Sequence, residues 1–510
     1  VKRVGRKLLA IATLSLLVDR TWGQSPTANQ LAPLPPIPPV NLQSEPVQPG
    51  TPALSQVPFD AAQRGPLTLS EVRDSVDRAY PLLEAAIAQR GIASGEHLSA
   101  HGAYDVSLDA SNETGALGFY RTNRAQMTAV QPLYWGGKAY SGYRIGRGSF
   151  EPWYLERETN KGGEFKVGAT QPLLQGLSID KRRTGLQKTA IARQAVEPEI
   201  DRQRIGFLYA GAEKYWKWIA AGHNYQIARD LMQIARDRAV SINDGIKAGR
   251  VAEIEGVDNQ RLIVSREAKL IQAERKFLQA AVDLSLYYRN EQGDPHVVSA
   301  ARLASFPEPN RPDDHQLDND LGMALELRPE LRYIRLQRQK TSVELNMARN
   351  QTLPSLDTGM YAAQDVGQQT PKGDKTPFQL EAGLYFDVPV QRRQAQGQVR
   401  AFEAQLAQIS AQERYYADRI VADVRFAMTG LVTAYNELLR AREGVVLAER
   451  MEQAERDKFA AGNSNILFVN LREQATADTR LLVIDALENF HLAEADYRAA
   501  LGADAAGARP

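Results

Sequence analysis

The chain has 510 residues, with 62 Lys and Arg against 61 Asp and Glu, six histidines, no cysteine and 43% apolar residues. That length exceeds one ordinary compact domain, and the lack of cysteine excludes a disulfide scaffold, a thiolate zinc or iron–sulfur site, a thiol nucleophile and a lipid-anchored cysteine. A formal charge of +1 leaves no concentration of cations for phosphate, so no nucleic-acid partner is expected.

Residues 1–24 read as a secretory signal. Lys2, Arg3, Arg6 and Lys7 form a basic start, Leu8 to Val18 is an apolar stretch too short to span a bilayer as a helix, and Thr21 and Gly23 put small residues near a cleavage point. Without this segment the formal charge falls from +1 to −3. Residues 25–66 are rich in Pro, Gln, Ser and Ala and contain the run LPPIPPV. Such a segment cannot bury enough apolar surface to offset its ordering entropy and is expected to be a disordered tether. No later run reaches the roughly 18 apolar residues of a helical membrane span, so any membrane-crossing part must be β-structure.

The remaining chain repeats a pattern. Leu67 to Leu83 ends in Ala79-Tyr-Pro81-Leu-Leu83, and Leu317 onward contains Ala324-Leu-Glu-Leu-Arg-Pro329-Glu-Leu331, with the two prolines 248 positions apart. Gly249, Phe277, Ala280 and Asp283 match Gly462, Phe490, Ala493 and Asp496 at a constant offset of 213. The offsets differ by 35, so the first copy carries an extra segment of that length, placed around 134–165. The copies are bounded at 67–290 and 317–502, with a linker at 291–316 and a disordered tail at 503–510.

Each copy begins with helical spacing, over 67–100 and 317–350, and then changes to strand alternation. In the second copy Phe378, Leu380, Ala382, Leu384, Phe386 and Val388 alternate with polar or small residues, which is close to the ~9–11 residues of a tilted transmembrane strand and marks a lipid-facing row. Leu356 to Ala362 is its weaker partner, and Gln364 to Pro377 is the polar loop between them. The first copy offers Tyr104–Ala116 and Phe165–Thr170, plus a third alternating region at Met127–Trp135 that leaves its strand count open. A helix of about 68 residues follows in each copy, Ser178 to Gly245 and Gln391 to Ala461, or ~100 Å at 1.5 Å per residue. Both have coiled-coil spacing, for example Ile205, Leu208, Ala212, Tyr215 and Ile219, and Pro198 should kink the first. Gly249 and Gly462 then cap the long helices before a return helix.

Alternating strands suit a sheet with lipid on one side and water on the other. One hairpin per copy gives about four strands per chain, too few to close a barrel, so several chains must share one; three would give about twelve strands. The order of elements, the joints QPLLQG (171–176) and Phe386-Asp-Val-Pro-Val390, and the turns at Gly249 and Gly462 together resemble the TolC-like outer-membrane efflux proteins over about residues 65–502. The resemblance implies a mixed α and β membrane protein: a trimeric shared transmembrane β-barrel continued by a long periplasmic α-helical coiled-coil barrel, with internal duplication. It also implies an exit duct of a tripartite efflux pump or type I secretion system, set in outer-membrane lipid and joined through a periplasmic adaptor to an inner-membrane transporter. Members of the family carry aspartates six and nine residues after the second glycine; here those positions are Phe468 and Leu471, while Glu255 and Asp258 hold them after Gly249. The resemblance therefore assigns Glu255 and Asp258 to an acidic mouth, Phe459 or Phe468 to an apolar constriction, and the Gly249 and Gly462 tips to the adaptor contact.

Other chemistry is sparse. His97 and His101 share a helix face, but Leu-Ser-Ala separates them and no third ligand or base is near, so an ordinary polar face is expected rather than zinc. Gly136-Gly-Lys138 lacks P-loop spacing, and no G-x-S-x-G elbow occurs. No catalytic role and no cofactor is expected. Tyr134, Trp135, Tyr361 and Tyr385 are candidates for an aromatic girdle, and Trp153 and Tyr154 mark the extra segment. The competing class is a soluble periplasmic coiled-coil scaffold, which accounts for the helices but not for the six-residue apolar row.

Overall fold

The computed structural model describes residues 65–150, 158–249, 252–369 and 377–506. The expected signal, nearly all of the tether, and Trp153 and Tyr154 lie outside the described residues.

Two short helices open the fold, α1 (Leu69–Ala79) and α2 (Pro81–His101). Thr68 caps α1 by accepting from Glu71 N, and Glu71 returns a bond to the Thr68 backbone, a reciprocal capping box. Helical spacing predicts one helix over 67–100, but the residue before a proline is pushed out of the helical region, and Tyr80 is extended. Pro81 then starts α2, where its missing N–H is no loss. The same break recurs in the second half: α5 (Leu317–Leu327) ends at Arg328, and α6 (Pro329–Asn350) starts on its proline.

The strands are β1 (Ser107–Gly115), β2 (Thr122–Pro132), β3 (Lys138–Gly148), β4 (Glu164–Pro172), β5 (Ser355–Asp365) and β6 (Phe378–Asp387). They form one antiparallel sheet in the order β1-β2-β3-β4-β5-β6. Among the described residues six strands stand where about four were expected. The added hairpin is β2–β3: Gly136 and Gly137, at φ of 95° and 75°, reverse the chain after Pro132. Strand β3 was hidden because Gly142, Gly146 and Gly148 occupy alternate positions, and a residue without a side chain carries no hydrophobic period. The segment 134–165 thus contributes a strand to the sheet.

The long helices are α3 (Lys181–Lys247) and α7 (Arg393–Ala460), and they return as α4 (Glu253–Ser285) and α8 (Ile466–Leu501). At 67 and 68 residues, each is ~100 Å long. Helix α3 runs on through Pro198. On the sheet side the lateral order is α2–α3–α6–α7, and on the turn side α4–α3–α8–α7. Helix α7 is therefore the outer helix on one flank, and α2 and α4 are outer on the other.

The largest core lies midway along α3, where Tyr215, Trp216, Trp218 and Ile219 meet Leu67, Val72, Phe277 and Leu284. The Tyr215 hydroxyl donates to Leu67 O at 2.9 Å, and burial pushes the phenol up to about 12. The 291–316 linker packs on this core: Val298 is buried, Phe306 stacks on Trp216, and Arg302 bonds both Glu71 and the Tyr288 hydroxyl. Residues Ala503–Ala506, expected in a disordered tail, form a short helix, α9. It is held because buried Asp504 pairs with Arg73 and Arg498 and its carbonyl accepts from Arg204.

Candidate functional site

The sheet is two-faced. In an antiparallel pair, directly opposed residues point to the same side, so the registers extend one face across all six strands. On one side lie Leu108, Met127, Phe165, Val167, Met360, Phe378, Leu380, Leu384 and Phe386, each more than half exposed. Ala382 is exposed in the same row, while Val388 falls just past the end of β6.

The opposite face is polar and internally bonded. Arg144 clasps Glu164 through two bonds of 2.7 and 2.8 Å, leaving the carboxylate buried. Lys166 Nζ sits 3.4 Å from the Tyr361 ring centroid, and the Tyr361 hydroxyl donates to Glu381. Near the β1 edge Arg124 pairs with Glu113. Tyr140 lies over Gly168 and Tyr385 over Gly359, where any larger residue would collide with or crowd the rings. Tyr361 and Tyr385 are thus on the polar side, not among the outward apolar side chains that a girdle requires. Tyr134 stacks on Tyr104 at 4.1 Å, and Trp135 is exposed in the β2–β3 turn.

At the far end of the helices, Gly249 and Gly462 adopt φ of 68° and 74°, the left-handed conformation that terminates α3 and α7. Ala248 N bonds Asp244 O and Ala461 N bonds Asp457 O, both at 3.0 Å, so the two turns are built alike. Glu255 and Asp258 lie on the first turns of α4, half-buried, with Asp258 paired to Arg261. Phe459 and Phe468 are exposed at the second tip, together with Leu467 and Leu471. Phe468 is thus not buried in the helix packing of its own chain.

The sequence reading missed the charge cluster above these tips. Glu473 on α8 is buried and accepts from Arg238 of α3 at 3.0 Å, from Arg456 of α7 at 3.2 Å and from Arg266 of α4 at 3.4 Å. Arg238 also bonds Asn470, and Arg266 donates to Leu231 O at 2.9 Å. Burial alone would raise the Glu473 carboxyl; the Arg238 hydrogen bond and the charges of Arg238, Arg266 and Arg456 outweigh it and hold the group below its ordinary range. Burial lowers the Arg266 guanidinium, and Glu473 only partly offsets this. All four helices of the tip region meet at one carboxylate. A signal was present: Val469, Glu473 and Thr476 occupy core spacing of four and three, so a glutamate sits where a coiled coil wants an apolar residue.

His97 Nδ1 lies 3.0 Å from the Thr189 hydroxyl, and its ring meets His101 edge to face. Among the described residues no group of three or more metal-ligating side chains is gathered, and no helix is long and apolar enough to cross a membrane.

The fold is similar to those of solved outer-membrane channel proteins. The Campylobacter jejuni CmeC outer membrane channel is similar at a TM-score of 0.58 and 12% identity, covering 85% of this chain and 85% of that one. The outer membrane protein VceC of Vibrio cholerae matches at 0.58 and 14%, covering 85% and 96%. The open-state Neisseria gonorrhoeae MtrE outer membrane channel matches at 0.58 and 14%, covering 85% and 88%. No protein-family model matches the sequence, and no curated protein does.

Proposed function

We propose that this chain is a subunit of an outer-membrane exit duct, serving a tripartite efflux pump or type I secretion system. The sheet would lie in the bacterial outer membrane and the helices would form the periplasmic tunnel, passively conducting substrates delivered by an inner-membrane transporter through a periplasmic adaptor. One observation carries this reading: five strands place large apolar side chains, exposed, on one face of a sheet whose other face is a polar, salt-bridged surface. Water on both sides would leave that apolar face uncovered, whereas a bilayer covers it. A soluble scaffold supplies no such cover.

The flanks favour a ring of copies. Helix α4 leaves Val257, Val264, Ile271 and Leu278 exposed at intervals of seven, and α7 leaves Phe426, Leu439, Val446 and Leu447 exposed on the other flank. Two different apolar flanks allow a head-to-tail contact, which gives a ring where its rotation closes, and the family resemblance sets the number at three. In that ring Gly249 and Gly462 would present the tips to the adaptor. Glu255, Asp258, Phe459 and Phe468 would line the entrance, and Phe378, Leu380, Ala382, Leu384, Phe386 and Val388 would face lipid.

The test is to extract the protein from the outer-membrane fraction in mild detergent, measure its mass by light scattering, and record conductance in planar bilayers. A mass of three chains with ion-conducting channels is expected; a protein soluble without detergent as monomer or dimer would sink the proposal.

A further inference from the structure

In a shared barrel the edges of the sheet decide its size, and among the described residues this sheet has two open edges, β1 and β6. Six strands are fewer than the roughly eight that close even around a solid, side-chain-filled interior, so the chain cannot close on itself. Within a bilayer an open edge leaves a row of backbone N–H and C=O groups without partners, which hydrocarbon does not tolerate. Each edge therefore needs an occupant.

We infer, resting on the ring reading above, that β6 of one copy pairs antiparallel with β1 of the next, and that the three sheets close as an eighteen-stranded barrel. Four features point to a second copy of this chain as the occupant. The edges match in length, nine residues in β1 and ten in β6. Because the meander has an even number of strands, β1 and β6 run in opposite directions, so head-to-tail copies meet antiparallel without any reversal. The faces also agree: Leu108 on β1 shares the apolar side with Leu380 and Leu384 on β6, while Glu113 and Glu381 share the polar side. Finally, β1 follows α2 and β6 precedes α7, so each edge continues an outer helix of its own flank.

The β2–β3 hairpin is what makes this barrel large. Barrel diameter grows roughly linearly with strand number, so eighteen strands give a barrel about half again as wide as twelve, within the range of porins with aqueous channels. The polar surface of Arg144, Lys166, Tyr361 and Glu381 then lines a wide wet lumen, not a packed interior.

The cysteine-free sequence permits a clean cross-linking test in the full chain. Ser111→Cys on β1 is combined in turn with Gln379→Cys, Glu381→Cys and Tyr385→Cys on the polar side of β6, and with Leu380→Cys and Leu384→Cys on its apolar side. Oxidation is expected to give a covalent trimer for at least one polar-side pair and for neither apolar-side pair. Electron cryo-microscopy of the unsubstituted protein in detergent gives the strand count directly, independent of how the variants fold. Eighteen strands around the section support the inference; a trimer whose barrel has twelve, or whose β1 edge pairs elsewhere, overturns it while leaving the channel reading intact. A particle that is not a trimer overturns both.

Discussion

Glu473 holds one negative charge against three guanidinium groups in a setting where Arg266 is almost fully enclosed. Removing one member of a buried ion cluster is more damaging than never having built it, because the remaining charges stay desolvated. Glu473→Ala is therefore expected to destabilise the tip region by about 3–5 kcal/mol, read as faster amide hydrogen exchange in α4 and α8 near the turns with the sheet unaffected. The pH dependence follows from the same group. Its folded pKa lies below the ordinary 4.5, so its stabilisation is fully present above that value and is lost as the pH falls through the lower folded value. Tip exchange should accelerate in acid below about pH 4.5, and the Glu473→Ala protein should show no such step.

At the scale of elements, the turns at Gly249 and Gly462 test whether backbone conformation alone ends the long helices. A Cβ at either position would meet nothing within 4 Å, so an alanine there suffers no collision. The cost is conformational, about 1–2 kcal/mol for an L-residue forced into the left-handed region. Gly249→Ala and Gly462→Ala should each loosen their own hairpin tip by that amount in hydrogen exchange. The mid-helix core behaves differently. Trp218 is fully buried against Phe277, and Trp218→Ala is expected to cost about 3–5 kcal/mol by leaving a cavity, seen as a lower denaturation midpoint for the whole helical part.

For the whole molecule the decisive surfaces are the flanks. Ile271 lies 22 residues after Gly249 and Leu439 lies 23 before Gly462, so along straight helices both stand ~33 Å from the tips. If neighbouring copies meet along these flanks, the double variant Ile271→Cys, Leu439→Cys should oxidise to a covalent trimer, with the cysteine-free parent giving none. Non-reducing gels of the membrane fraction provide the reading, and monomer bands alone would rule out this alignment of the flanks.

Much of this was legible along the chain because it depends on local periodicity. The heptad steps of α3 and α7, the prolines that start α2 and α6, the glycines that end the long helices and the alternation of Phe378 to Phe386 all follow from how one residue's side chain sits relative to its neighbours. Glycines in β3 erased that signal and concealed a hairpin, and Pro81 and Pro329 split helices that spacing alone joined. The Arg238–Arg266–Arg456–Glu473 cluster and the internal bonding of the polar sheet face join residues from distant parts of the chain. Charge on a helix looks the same in sequence whether it faces water or three arginines; only packing determines which. The sequence by itself determined the long helices, their glycine turns and the alternating β6 strand, and the order in which they come, because those arise from short-range sterics and hydrophobic spacing. The tertiary structure decided the number of strands in the sheet, the edges left open and the burial of Glu473, because those depend on which distant segments come into contact.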